Sequence, residues 1–453
     1  MPSTGWSAPS RNRPTSPSSS AVWPRPRAGN CRASSPIAPS DLDAIPDLRP
    51  GCAGAEQGDF NGRARTARMN PRIYVLTLST FAFGSAAFIF AGLLEAMAAD
   101  LGVSTAVAGQ LQTAYVLTSA VLGPLVAWRL GRVDRRWMVI GGLTLGVILH
   151  LACALTPNFQ ALLVLRGLAG LAGAMSGPAA SVAAAALAPP ERRGSAIALV
   201  SGGMTVAFVV GIPLGSVVGS VFGWRATFVF AALISGIALA AALLFLPRVP
   251  APPKREGGSA PIAAIWPLYL TTFLVFAANM TLNLYIAPIV RVGAGVTGAG
   301  VGVFQSMIGW GSIAGLWLGA RAADRNAGKA WILTGFVIQA TAMTLHFSAT
   351  HQALPPGLPS QVLVASAIFV AATALFSITP VIQSRLIQAT EGAPVALALN
   401  GSVVALGQAL GSAAGGASLA AWGVPAIPAT ALALSLTAFL ILSVAFPRAR
   451  AGS

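Results

Sequence analysis

Twelve apolar runs, each long enough to cross a bilayer, decide what this chain can fold into. They fall at about 73–95, 107–128, 138–156, 161–187, 196–218, 225–246, 264–288, 299–320, 330–348, 361–379, 395–421 and 426–446. A helix rises about 1.5 Å per residue, so roughly 20 residues cover the ~30 Å of hydrocarbon in a membrane. The chain is 55% hydrophobic and only 9% charged, whereas about a quarter of the residues in an average soluble domain are charged. A soluble helical bundle would need polar stripes at helical spacing, and these runs mostly lack them. The expected fold is an all-α integral membrane protein.

The basic residues orient the spans. The formal net charge of +16 invites a nucleic-acid reading, but its distribution argues against one. Fifteen basic residues sit in alternate connections: Arg129, Arg132, Arg135, Arg136, Arg192, Arg193, Arg248, Lys254, Arg255, Arg321, Arg325, Lys329, Arg385, Arg448 and Arg450. The opposite side receives only Arg225 and Arg291. By the positive-inside rule the arginine-rich side is cytoplasmic, together with both termini and the central connection.

Punctuation divides the chain. Residues 1–68 are rich in Pro, Ser, Arg, Ala and Gly without apolar periodicity, which predicts a disordered tail with no signal peptide. Met69 directly precedes the first run, so an over-early start is a second reading of that tail. A Pro/Gly/charge-rich linker at 247–262 separates a six-span half at 69–246 from another at 263–447, and 448–453 form a short end. Cys31, Cys52 and Cys153 have no disulfide or metal-ligand spacing, and His150, His346 and His351 assemble no metal cluster.

Polar groups inside the spans are few. No carboxylate lies mid-membrane; Glu95 and Asp100 stand at the outer end of span one. Arg166 near the start of span four is a cation in an apolar run, which is expensive and rarely accidental. Glycines recur every four residues at Gly211/Gly215/Gly219, Gly311/Gly315/Gly319 and Gly407/Gly411/Gly415, giving smooth stripes for close helix contact. The stretches 129–136 and 319–325, six spans apart, rhyme as an internal duplication would.

These features resemble the major facilitator superfamily, in its twelve-span drug and sugar efflux branch. The loop after span two carries Arg132, Arg135 and Arg136 of the family's signature, with Gly131 where an acid is expected and Asp134 in place of a glycine. The second copy keeps Asp324 and Arg325. Span four matches through Arg166, Gly170, Gly173 and Ala174, and span five through Gly203, Gly211, Pro213, Gly215 and Gly219. Gly92–Leu94, Gly223–Phe228 and the Asn400–Gly411 segment add to the match. The resemblance implies two six-helix halves in a bacterial inner or plasma membrane, a latch formed by the two arginine loops, and an antiporter-type span five. It implies packing of span five on eight and of two on eleven, with the glycine stripes at that seam. It also places spans one, four, seven and ten around the solute.

The expected function is secondary active efflux of a drug- or sugar-like molecule by alternating access, driven by protons, by a monomer without metal or cofactor. An importer or facilitator of the same fold is the alternative; a membrane sensor or polytopic enzyme is another, although no catalytic cluster converges. Glu95 is expected to pair with Arg166 when the outer side is closed and to protonate when they separate. Asn279 and Asn283, four apart on one face of span seven, are the expected solute contacts, with Phe276, Tyr115 and Asn400 beside them. Helix-to-helix hydrogen bonding by these groups, and carbonyl bonding by Arg166, are the competing readings.

Overall fold

The computed structural model describes residues 70–189, 192–250, 262–325, 328–355, 357–389 and 394–445. The expected tail at 1–68, most of the linker and the terminal segment lie outside the described residues. Among those described, twelve helices are long and apolar enough to cross a membrane. Spans one to six are Arg72–Asp100, Thr105–Arg129, Arg135–Leu155, Phe159–Leu187, Arg193–Phe222 and Trp224–Phe245. Spans seven to twelve are Ile265–Asn283, Gly300–Asp324, Gly328–Thr350, Leu358–Ala389, Leu399–Trp422 and Ala426–Val444. The architecture is all-α, as lipid requires of backbone that must satisfy its own polar groups.

Three spans are interrupted. Span one is regular helix to Phe88, then turns and passes through a 3₁₀ turn at Ala91–Leu93 before resuming at Leu94. Span five contains a π turn at Ala207–Gly211, because Pro213 offers no N–H to the Val209 carbonyl four residues back. The helix of span seven stops at Asn283 and restarts as Ile286–Ala294. Pro288 stands in the first turn of that restart; its ring would clash with the Leu284 carbonyl of a continuous helix.

The glycine stripes lie elsewhere than the sequence suggests. Span five does pack on span eight, and span two on span eleven. Yet a Cβ added at Gly203, Gly211, Gly215 or Gly219 would fall on Thr80, Ser85, Ile89 or Leu93, all in span one. Gly311, Gly315 and Gly319 face the backbone of Phe369, Thr373 and Ser377 in span ten, and Gly407, Gly411 and Gly415 face Phe273, Ala277 and Thr281 in span seven. All three stripes therefore bind spans of the same six-helix set, and the expectation that they line the seam is corrected. Gly170 and Gly173 act likewise, against Tyr115 of span two. The approach brings backbone acceptors within reach: Ser119 Oγ donates to the Gly170 carbonyl at 2.7 Å, and Thr281 Oγ1 to that of Gly411 at 3.2 Å. At the seam between spans five and eight, Val209 lies against Gly309 and Pro213 against Gly302, glycines that belong to none of the three stripes.

The two ends of the bundle differ. The end that carries Arg129, Arg132, Arg135, Arg136 and Arg321 is arginine-rich, and the other carries Arg225 and Arg291. At the arginine-rich end Asp134 caps span three by accepting from Arg136 N at 2.8 Å, and it also accepts from Val249 N at 3.0 Å. Arg135 bonds the Gly131 carbonyl and Arg136 the Leu243 carbonyl, both at 2.9 Å. In this conformation the loop thus clamps the end of span six, while Arg132, Asp324 and Arg325 are exposed. Asp134→Ala should cost about 1 kcal/mol, the usual worth of an N-cap, and Asp134→Asn less, because its amide oxygen still accepts. Equal melting temperatures for Asp134→Ala and the wild type would count against this clamp.

Candidate functional site

A cavity of about 1240 Å³ runs through the middle of the bundle. Its deep end is formed by Ala91, Met280, Asn283 and Gln305, and its lining continues to Trp128, which is 69% exposed and adjoins Arg129 at the arginine-rich end. Phe88, Phe208 and Phe376 form a continuous aromatic wall, with ring centroids 5.6 and 5.9 Å apart. These rings come from spans one, five and ten, so the wall bridges the two six-span sets.

The arginine-poor end is closed. There a core of Phe90, Leu94, Met97, Trp224, Phe228, Tyr285 and Ile289 packs tightly. Tyr285 donates to the Ser412 carbonyl at 3.1 Å. Above this core Glu95 of span one meets Arg291 of the helix after span seven. Arg291 Nη2 donates to Oε1 at 2.8 Å, and Nε reaches Oε1 and Oε2 at 3.1 and 3.3 Å. Hydrogen bonding to the Glu95 carboxylate raises the Arg291 guanidinium above its usual range, against a smaller desolvation effect. Both side chains are partly exposed, so the pair is worth at most about 1 kcal/mol by itself. Its role is directional: it joins the two sets of spans at their closed end.

Arg166 is fully buried. Its Nη1 donates to the Ala86 carbonyl at 3.2 Å, and its Nη2 to the Ala87 carbonyl at 2.9 Å and to Gln112 Oε1 at 3.2 Å. The guanidinium carbon lies 4.6 Å from the Phe90 ring centre and 4.5 Å from that of Tyr115. The last four carbonyls of a helix have no intrahelical partner, and Ala86 and Ala87 precede the break after Phe88. Arg166 therefore caps the interrupted helix of span one, at the end where a cation also suits the helix dipole. The expected Glu95–Arg166 pair does not form here. With the arginine-poor end closed, Glu95 belongs to Arg291, and Arg166 uses carbonyls, an amide and two aromatic faces instead.

Comparisons with known proteins agree with this architecture. The family described as Major Facilitator Superfamily matches residues 76–268. The chain is 30% identical to the chloramphenicol resistance protein of Streptomyces lividans over 354 residues, spanning 76% of this chain and 86% of that protein. The chain belongs to the major facilitator superfamily. It is also 29% identical to the inner membrane transport protein YdhP of Escherichia coli K12, over 78% of this chain and 90% of that one. Among solved structures, a bacterial homologue of the human lysosomal transporter Spinster, in an inward-facing and unoccupied conformation, superposes with a TM-score of 0.65 at 18% identity. It covers 83% of this chain and 94% of its own. This protein is thus a multi-pass membrane transporter and not an enzyme.

In this transporter Phe276, Asn279, Asn283 and Tyr115 line the cavity. Asn279 is nearly buried, with its Nδ2 bonded to the Val275 carbonyl at 3.1 Å, whereas Asn283 is half-buried. Asn400 is corrected: it is absent from the lining, and its Oδ1 accepts from Thr272 Oγ1 at 2.9 Å between spans seven and eleven. Gln305 joins the cavity to the seam, bonding Ser216 Oγ of span five at 2.5 Å. Sequence reasoning missed Arg291 and Phe90. Arg291 carried a signal, as one of two basic residues on its side of the membrane. Phe90 carried none, since an aromatic in an apolar run reads as packing.

Proposed function

We propose that this chain is a bacterial inner-membrane exporter that takes a small molecule from the cytoplasm and releases it outside by alternating access, driven by protons. The observation that carries this reading is the cavity, open toward the arginine-rich end and closed by the core and the Glu95–Arg291 pair at the other. Positive-inside topology identifies the arginine-rich end with the cytoplasm. The cavity is then in its loading state. The name of the Streptomyces relative, a chloramphenicol resistance protein, supports efflux over uptake.

Release requires the halves at 69–246 and 263–447 to rock about the cavity, with the linker at 247–262 between them. Rocking must part Glu95 from Arg291. A proton on Glu95 removes the attraction and leaves Arg291 free to turn to water, so external acid favours opening of the outer end. Exchange follows when solute departs, the outer end closes over the protonated Glu95, and its proton passes to the cytoplasmic side before the carboxylate meets Arg291 again. A single chain contains both faces of this cycle, so a monomer suffices. An uncoupled facilitator is the second reading, favoured by the absence of any carboxylate among the described lining residues.

Glu95→Gln tests the coupling in inside-out vesicles. The amide keeps the shape but cannot titrate, so transport driven by a pH gradient should fall at least tenfold, while downhill exchange of solute continues. Undiminished pH-driven transport by the variant sinks the proton role.

A further inference from the structure

We infer that the cavity selects uncharged amphiphilic molecules and rejects lipophilic cations. Among the described residues that line it, none carries a formal charge. One side offers Phe83, Phe88 and Tyr115; the other offers the side-chain amides of Asn283 and Gln408, beside those of Asn279 and Gln305, which are buried and bonded to the Val275 carbonyl and to Ser216. An ion that enters such a space sheds water and meets no counter-charge, which is costly in an apolar surround. A neutral solute loses far less, and it can lay a ring on the aromatic side and exchange hydrogen bonds with the amides.

The nearest buried charge sharpens this preference. The Arg166 guanidinium stacks on Tyr115 and bonds the Ala87 carbonyl, and both of those residues line the cavity. Among the described residues no carboxylate neutralises it: its partners are two carbonyls, one amide and two rings. The carboxylate of Glu95 is already engaged by Arg291. The wall behind Tyr115 therefore projects a positive field into a space with weak dielectric screening. A cation is penalised by desolvation and by this field. An anion gains from the field but remains desolvated, with only neutral amide, hydroxyl and indole donors to receive it.

The volume of about 1240 Å³ exceeds the 300–1,000 Å³ typical of drug-sized pockets. It accommodates a bulky molecule of several rings together with some water. Direction and proton coupling come from the exporter reading; the charge preference is a property of the cavity and can be measured without a gradient.

The purified full chain, in nanodiscs, supplies the test. Binding of triphenylphosphine oxide, tetraphenylphosphonium and tetraphenylborate, which are neutral, cationic and anionic probes of similar shape, is followed by tryptophan fluorescence. The neutral probe should bind at least tenfold more tightly than the cation, a difference of about 1.4 kcal/mol. Asn283→Asp places one negative charge on the lining and should reverse that order; Gln408→Glu is the second variant if the first does not fold. Several outcomes overturn the inference: the cation binding the wild type as tightly as the neutral probe, tetraphenylborate binding most tightly, or no neutral binding at all. Failure of Glu95→Gln to alter vesicle transport would leave this binding order untouched, so the two readings can fail separately.

Discussion

Arg166→Leu should destabilise the protein by about 3–5 kcal/mol and abolish transport. The substitution strips donors from the Ala86 and Ala87 carbonyls and from Gln112, in a place that water does not reach. Hydrogen bonds to a charged group are worth about 1.5–3 kcal/mol each, and a buried polar group left without a partner costs about 1–3. Lysine should not rescue the loss. Its ammonium is a point charge that cannot lie flat between the rings of Phe90 and Tyr115 while serving separate acceptors. Cys153 is buried and free, so a thiol-reactive dye can follow its exposure on heating, in a Cys31→Ser/Cys52→Ser background. A leucine variant that melts with the parent and still transports would show that the cap on span one is dispensable.

Gly411→Leu should reduce the yield of folded protein severely, with a loss of more than about 3 kcal/mol, whereas Gly401→Leu in the same helix should fold normally. Inserted methylenes typically cost about 1–3 kcal/mol when neighbours can move. At Gly411 the new Cβ would fall on the Ala277 carbonyl, and backbone cannot step aside as a side chain can. Spans seven and eleven must separate, which also pulls Thr281 from the Gly411 carbonyl and Tyr285 from that of Ser412. Around Gly401 there is no atom within 4 Å of an added Cβ. Membrane-fraction yield and melting temperature would compare the two; equal effects would contradict the close approach of spans seven and eleven. Gly215→Leu belongs with Gly411, since it strikes Ile89 of span one and disturbs assembly rather than sliding between halves.

Much of this molecule was legible in the chain because a membrane leaves few options. A run of about 20 apolar residues can only cross as helix, so the span number and most limits emerge from composition to within about five residues, although span ten was expected to end at 379 and runs on to Ala389. Proline accounts for two of the three irregular turns: Pro213 beside the π turn and Pro288 at the restart of span seven lack the N–H that a continuous helix needs, whereas the turn in span one contains no proline. The glycine repeats announced close helix contact for the same local reason, the absence of a Cβ. The partner of each stripe was not legible, because a smooth face fits any helix, and three dimensions alone put Gly215 on Ile89 and Gly411 on Ala277.

The charged groups divide in the same way. Sequence alone determined that Arg166 is the lone cation deep in a span and that Glu95 is an acid at a span end. It could not say what either touches, since depth along a helix carries no information about rotation around it. Only the tertiary structure turned Arg166 toward the broken end of span one, where two carbonyls and a glutamine take up its donors. Only it brought Glu95 within 2.8 Å of Arg291, almost 200 positions away in the chain. Long-range pairing of this kind depends on how two six-helix sets meet, and local residue patterns do not encode that meeting.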